Sequence, residues 1–155
     1  MSSRPHPESE RPLRGPLQSF DLAAEVARLR EEKAWQGGRR NAITLRKGEG
    51  LNVVLLVMRE GDRLDEHSAP GPMTLSVHEG RIRFSAADEE VEAEAGTLIA
   101  CDAGVRHSVG AVSDAVCLLN VVTGSERREL SWPEDSVNDK AVAATADDRA
   151  GVIWT

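Results

Sequence analysis

Residues 61–80 read GDRLDEHSAPGPMTLSVHEG and residues 96–107 read GTLIACDAGVRH, and these two stretches carry the most specific fold signal in the chain. Each begins with a glycine; the first contains His67 and His78, and the second contains His107. Proline fixes φ twice in the segment 69–72, which predicts a rigid turn. Glycine, proline and histidine grouped in this way indicate loops at strand ends that shape the mouth of a β-structure.

Outward from these stretches, short segments rich in β-branched and aliphatic residues alternate with turn signals. They predict about eight strands, over residues 42–46, 51–58, 73–78, 81–85, 89–93, 97–100, 105–109 and 115–122. No gap between them has room for a crossover helix, so the pattern favours an antiparallel sandwich or barrel. Alternation places Ile82 and Phe84 on a buried face, whereas the unbroken apolar run 53–57 predicts a strand covered on both faces.

The composition excludes several classes of function. The chain has 155 residues and a net charge of −7, and its aromatic residues are two Phe and three Trp. That length predicts one domain, whose core must be built from Val, Leu, Ile and Ala. An acidic chain with few stacking rings is not typical of nucleic-acid-binding proteins. The longest apolar run, 53–58, is far shorter than the roughly 20 residues of a membrane helix.

The segments outside the motif region have different compositions. Residues 1–18 contain four prolines among charged residues and are predicted to be a disordered lead-in. Apolar residues at helical spacing predict a helix over 20–33, with Ser19 as its N-cap. The predicted domain spans 19–123, with its motif-bearing core over 41–123, and an acidic, alanine-rich tail follows over 124–155. We expect Trp132 and Trp154 of that tail to dock on the domain or to cover a neighbouring subunit.

Targeting and catalytic signals are few. The N-terminal residues contain no apolar run typical of a signal peptide, which predicts a cytoplasmic protein. Cys101 and Cys117 are therefore predicted to be free thiols. The chain has no nucleophile elbow, glycine-rich phosphate loop or C-x-x-C motif, so we assign no catalytic residue. The chemistry is expected around His67 and His107.

The two stretches resemble the two motifs of the cupin superfamily. The first motif runs Gly, five residues, His-x-His, three or four residues, Glu, six residues, Gly; the second runs Gly, five residues, Pro-x-Gly-x-x-His, with Asn four residues beyond. The positions in register are Gly61, His67, Gly80, Gly96, Gly104 and His107. The resemblance covers about residues 41–123. It implies an all-β, double-stranded β-helix (a jelly-roll or cupin-like barrel) with one N-terminal helix, similar to small single-domain bacterial cupins, and a homodimer.

The departures from these motifs concern the metal ligands. Ala69 stands at the second histidine, Met73 at the glutamate, Asp102 at the proline and Ala111 at the asparagine. In metal-binding cupins three histidines and the glutamate hold one divalent ion, so the resemblance implies that two of the four ligands are replaced here. Two imidazoles alone hold a first-row metal weakly, because such sites need three or four protein ligands. We therefore predict no resident cofactor.

The first interpretation of this site is a metal-free pocket lined by His67, Ala69, Met73 and His107. Two polar groups in an otherwise apolar cavity are typical of a small-molecule site. Imidazoles there would bind a carboxylate or an enolate, or act as acid–base groups near neutral pH. The predicted partner is then a small organic ligand.

Two alternatives stay open. Strand period two places Asp65 on the same face as His67, and Asp102 lies in the turn before His107. Either carboxylate would complete a site of two histidines and one carboxylate for a divalent metal, as in a metal-dependent dioxygenase or isomerase. The last alternative is a filled core in a structural or interaction module, whose sheet face or Trp-bearing tail recognises a partner.

Overall fold

The structure, a computed structural model, describes residues 12–123. Predictions for the first part of the lead-in, residues 1–11, and for the tail, residues 124–155, lie outside the described residues. The helices are α1 (Leu22–Glu31) and α2 (Lys33–Gln36). The strands are β1 (Arg40–Arg46), β2 (Leu51–Met58), β3 (Arg63–His67), β4 (Met73–Glu79), β5 (Arg81–Ala86), β6 (Glu89–Glu94), β7 (Leu98–Cys101), β8 (His107–Ala111) and β9 (Ala115–Val122).

These strands form two antiparallel sheets. Sheet A has the order β1-β2-β9-β4-β7, and sheet B has the order β3-β8-β5-β6. One apolar cluster draws buried side chains from both sheets, for example Leu75 from β4 and Phe84 from β5. The two sheets therefore enclose a common core, and the predicted all-β, double-stranded β-helix with an N-terminal helix is confirmed.

Strand β2 is covered on both faces, as its unbroken apolar run predicts. Leu56 and Met58 belong to the core between the sheets. Leu55 and Val57 lie in a second cluster on the outer face of sheet A, together with Trp35. The helices pack on this outer face, because Val26 and Leu29 of α1 complete the second cluster.

The N-terminal helix is shorter than predicted. Asp21 is its N-cap, since the Asp21 side chain accepts a hydrogen bond from the backbone N–H of Ala24 at 3.1 Å, so the prediction of Ser19 was wrong. The helix ends at Glu31 because Glu32 is extended, with φ −84° and ψ 156°. The four-residue α2 then follows, and it ends at Gly37. Neither described helix is long or apolar enough to span a membrane.

Residues 12–18, the last part of the predicted lead-in, contact the first strand. The carbonyl oxygen of Leu13 accepts a hydrogen bond from the backbone N–H of Lys47 at 2.9 Å. The side chain of Gln18 accepts another from the guanidinium of Arg46, also at 2.9 Å. The described part of the lead-in is thus bonded to the end of β1 and to the turn that follows it.

Candidate functional site

The pairing of β3 with β8 brings the two motif histidines together. His67 is the last residue of β3, and it lies in register with His107, the first residue of β8. Their ring centroids are 4.3 Å apart, with an angle of 63° between the planes. Two residues far apart in the chain thus form an edge-to-face imidazole pair.

A bulge in β3 decides which side chains accompany this pair. Leu64 pairs with Val109 and His67 pairs with His107, so β3 contains one residue more than β8 between these two pairs. A bulge of this kind resets the alternation of side chains, because two residues face one on the partner strand. The two residues at the bulge are Asp65 and Glu66.

Both bulge carboxylates lie away from the histidines. The side chain of Asp65 is 94% exposed, and its Oδ1 is 3.7 Å from Nε of Arg63. The carboxylate of Glu66 is 3.4 Å from the guanidinium of Arg106. The prediction that Asp65 shares the face of His67 was therefore wrong, since simple period-two alternation does not hold across a bulge.

Backbone carbonyl groups orient both imidazoles. Nδ1 of His67 lies 2.8 Å from the carbonyl oxygen of Asp65, and Nδ1 of His107 lies 3.0 Å from that of Val105. A carbonyl oxygen can only accept, so Nδ1 carries the proton in each ring. Neither Nε2 atom has a hydrogen-bond partner among residues 12–123. In the neutral rings both Nε2 atoms are therefore free acceptors.

The two histidines differ in exposure. His107 is only 3% exposed, and the ring of Phe84 stacks on it at 5.4 Å between centroids. Burial lowers the pKa of His107; its hydrogen bond to Val105 opposes that shift, and the neighbouring His67 adds to the lowering. His67 is exposed. The pair thus extends from the solvent into the core, and its inner member favours the neutral form.

The other predicted pocket residues are apolar members of the same core. Met73, on sheet A, is 3% exposed, and Ala69 is partly buried against the core cluster. Two further neighbours follow from strand register: Cys101 pairs with Met73, and Ala86 pairs with His107. The sequence pattern predicted neither pairing, and it did not predict the stacking of Phe84 on His107, although alternation places Phe84 on a buried face.

Both cysteines are free thiols, as predicted. Burial raises the pKa of Cys101, and the adjacent Asp102 raises it further. Burial also raises the pKa of Cys117 to about 12. A thiol with a raised pKa forms little of the reactive thiolate at neutral pH. Neither cysteine therefore has the environment of a nucleophile.

The described residues do not fit a resident metal ion. Asp102 lies exposed in the turn after β7, and the 94% exposed side chain of Asp65 pairs with Arg63. Within residues 12–123 no three His, Cys, Asp or Glu side chains come together as a metal-binding group. Two imidazoles supply fewer ligands than the three or four of a protein metal site. We therefore derive no metal-dependent step.

A groove of about 600 Å³ lies along sheet B, and Ala86, which pairs with His107, is one of its lining residues. It is lined by Glu66, Ser85, Ala86, Ala87, Asp88, Glu89, Glu90, Val105, Arg106 and Ser108. Some of the charged side chains that line this groove form ion pairs: Glu66 lies 3.4 Å from Arg106, and Glu90 lies 3.0 Å from Arg83. We assign no ligand to this groove.

The two sheets enclose one core and form a small jelly-roll barrel. His67 at the end of β3 lies beside His107 at the start of the antiparallel strand β8. The family model described as the cupin domain matches residues 54–123, and this part of the chain is a cupin domain, in agreement with the resemblance of its motifs. No curated protein matches the chain at a significant level.

Solved structures share the fold. A conserved protein of unknown function from Streptococcus pyogenes has a TM-score of 0.57 and 20% identity, over 74% of this chain and 94% of that one. A cupin superfamily protein from Desulfitobacterium hafniense has a TM-score of 0.54 and 12% identity, over 56% of this chain and 79% of that one. An RmlC-like cupin from Shewanella frigidimarina has a TM-score of 0.53 and 17% identity, over 58% and 81%.

Proposed function

We propose that this cupin-domain protein binds a small organic molecule beside His67 and His107, without a resident metal ion. The observation that carries the proposal is the imidazole pair itself, held at 4.3 Å with both Nδ1 atoms bonded to backbone carbonyl groups. Hydrogen bonds of this kind fix the ring orientation before any ligand arrives, which reduces the entropic cost of binding. Apolar side chains around a few oriented polar groups are the usual composition of a ligand site.

The experiment is a protein-observed NMR screen with small benzene derivatives that carry hydroxyl, amino or carboxylate groups. Binding that shifts the imidazole signals of His67 and His107, and that is lost in His67→Ala, supports the proposal. The matched control is His78→Ala, because His78 is also exposed but bonds to Ser76 on another strand, β4. Fragments that bind His67→Ala as well as the unchanged protein would refute this location.

The second candidate is a metal-dependent dioxygenase or isomerase. The observation in its favour is that neither Nε2 atom has a partner within residues 12–123. Its weakness is that this part of the chain offers no third protein ligand. The test is metal content after purification without chelators or a metal-binding tag, measured before and after His67→Ala. Near-stoichiometric metal that disappears in the variant would replace the metal-free proposal with this one.

We further propose a cytoplasmic homodimer that pairs through the β7 edge of the outer face of sheet A, beyond the second cluster that the helices cover. Leu98 supports this, since it lies on the edge strand β7 and is 64% exposed. The outer face of sheet B carries ion pairs instead, such as Arg83 with Glu92 at 3.0 Å. Light scattering should show a dimer that Leu98→Glu converts to a monomer and Val91→Glu, on sheet B, leaves intact. A monomer in the unchanged protein would exclude this arrangement.

A further inference from the structure

We infer that the molecule bound beside His67 and His107 is a neutral hydrogen-bond donor, with hydroxyl or N–H groups, and not an organic anion. This inference rests on the proposed function and names the chemical class of its ligand. It also reverses the expectation from the sequence that the imidazoles would bind a carboxylate or an enolate.

The first step concerns the direction of the hydrogen bonds. The carbonyl oxygens of Asp65 and Val105 hold the protons of both rings at Nδ1, at 2.8 Å and 3.0 Å. A neutral imidazole has one donor and one acceptor nitrogen, so each Nε2 presents a lone pair. A ligand that contacts Nε2 must therefore supply the hydrogen. A carboxylate has none to supply.

The second step concerns the two arginines nearest in sequence to the histidines, Arg63 and Arg106, whose charges are already paired. Arg106 lines the groove on sheet B and pairs with Glu66 at 3.4 Å. Arg63 donates to Ser108 and lies 3.7 Å from Asp65. An anion beside the histidines would consequently meet two acceptors, while these two guanidinium groups are engaged by carboxylates.

The third step concerns the surroundings of the pair. Phe84 stacks on His107 at 5.4 Å, and Ala86 lies in register with His107 on the neighbouring strand. Such apolar neighbours do not solvate a charge, and an unpaired ion placed among them loses its hydration without replacement. A neutral donor instead satisfies the acceptors and keeps apolar contact with the remaining side chains.

The first experiment reads the tautomers directly in the full chain. Long-range ¹H–¹⁵N NMR at pH 8, where imidazole groups are ordinarily neutral, distinguishes a protonated from an unprotonated ring nitrogen. We expect Nε2 to be unprotonated in both His67 and His107. A proton on Nε2 of both rings would overturn the inference and leave the proposed function standing.

The second experiment compares three probes of similar size: resorcinol, which has two hydroxyl donors, 1,3-dimethoxybenzene, which has none, and the anion benzoate. The imidazole signals follow each titration at pH 8. We expect resorcinol to bind at least about tenfold more tightly than the other two, as one hydrogen bond is worth roughly that factor. His78→Ala should keep this preference and His67→Phe, which retains a ring but no acceptor, should reduce it.

The outcomes separate the two claims. Equal affinity for resorcinol and its dimethyl ether, or a preference for benzoate, would overturn the inference while the proposed function survives. No response of either histidine to any probe would overturn the proposed function, and the inference with it. The tautomer measurement uses the unchanged protein, so it tests the inference even if a variant fails to fold.

Discussion

The carbonyl oxygen of Asp65 accepts a hydrogen bond from Nδ1 of His67 at 2.8 Å, while the Asp65 carboxylate lies 94% exposed beside Arg63. One residue thus orients the histidine through its backbone and contributes nothing to the site through its side chain. The bulge between Leu64 and His67 produces this arrangement, because it places Asp65 and Glu66 together opposite one residue of β8.

The first prediction follows from this geometry. Asp65→Ala should change the free energy of unfolding by less than about 0.5 kcal/mol, since it removes only an exposed carboxylate. The tautomer of His67 should also be unchanged, because the accepting carbonyl group stays. Chemical denaturation and long-range ¹H–¹⁵N NMR measure the two quantities. A reversed His67 tautomer in the variant would show that the side chain takes part after all.

The second prediction concerns pH. Burial, and to a smaller extent His67, holds the pKa of His107 below its ordinary value of 6.5. Between the folded pKa and 6.5 the unfolded chain then binds more protons at this residue, so the contribution of His107 to stability falls as the pH drops below 6.5. NMR titration should give a lowered pKa that rises slightly in His67→Phe and is unchanged in His78→Ala. A pKa above 6.5 for His107 would contradict the burial described here.

The third prediction separates backbone strain from steric collision at two glycines. Gly80 and Gly61 have φ of 79° and 89°, but only at Gly80 would a Cβ atom collide with a neighbour, the carbonyl oxygen of Asp114. Gly61→Ala should therefore cost about 1–2 kcal/mol of unfolding free energy, from the left-handed backbone alone. Gly80→Ala should cost clearly more. Gly110→Ala is the control, because Gly110 has neither a left-handed φ nor a close neighbour. Equal losses of unfolding free energy in Gly61→Ala and Gly80→Ala would contradict the collision expected at Gly80.

The fourth prediction concerns the thiols. Cys117 is fully buried with its pKa raised to about 12, and Cys101 is partly buried with a raised pKa. Iodoacetamide at pH 8 should therefore label Cys101 slowly and Cys117 only after unfolding. Mass spectrometry of the labelled peptides measures both rates, with Cys101→Ala as the control for site assignment. Rapid labelling of Cys117 in the native protein would contradict its burial.

The fifth prediction compares a buried with an exposed ion pair. Arg40 donates two hydrogen bonds to Asp62, at 2.7 Å and 2.8 Å, and the Asp62 side chain is only 5% exposed. Arg40→Ala should cost about 2 kcal/mol of unfolding free energy, because it leaves a buried carboxylate without its cation. Arg83→Ala removes two exposed ion pairs, with Glu90 and Glu92, and should cost less than about 0.5 kcal/mol per pair. Similar costs in urea denaturation would disprove this distinction.

Most of the fold could be predicted because its central strands carry a strong local signal. The predicted bounds of β2 and β9, 51–58 and 115–122, agree with the structure, since both strands have apolar runs between clear turn residues. Strand β3 was absent from the predicted set because its sequence, RLDEH, contains four charged or titratable residues out of five. This segment forms a strand because it pairs with β8, and its own composition does not favour one.

The candidate site could be predicted only in part. The motif spacing singled out His67 and His107, and the structure brings their rings into contact; their role in binding stays a prediction. The orientation of the Asp65 side chain could not be predicted in the same way. Alternation along β3 alone does not reveal a bulge, because a bulge depends on the pairing with β8. Residue type and local spacing were enough to predict most of the strands and their antiparallel arrangement, and the resemblance of the two motif stretches to the cupin motifs implied the barrel and the replacement of two metal ligands. The tertiary structure added the exposure of the Asp65 and Glu66 carboxylates and the lack of a partner for either Nε2 atom within residues 12–123. These features depend on the register of β3 on β8, which is set by hydrogen bonds between distant segments.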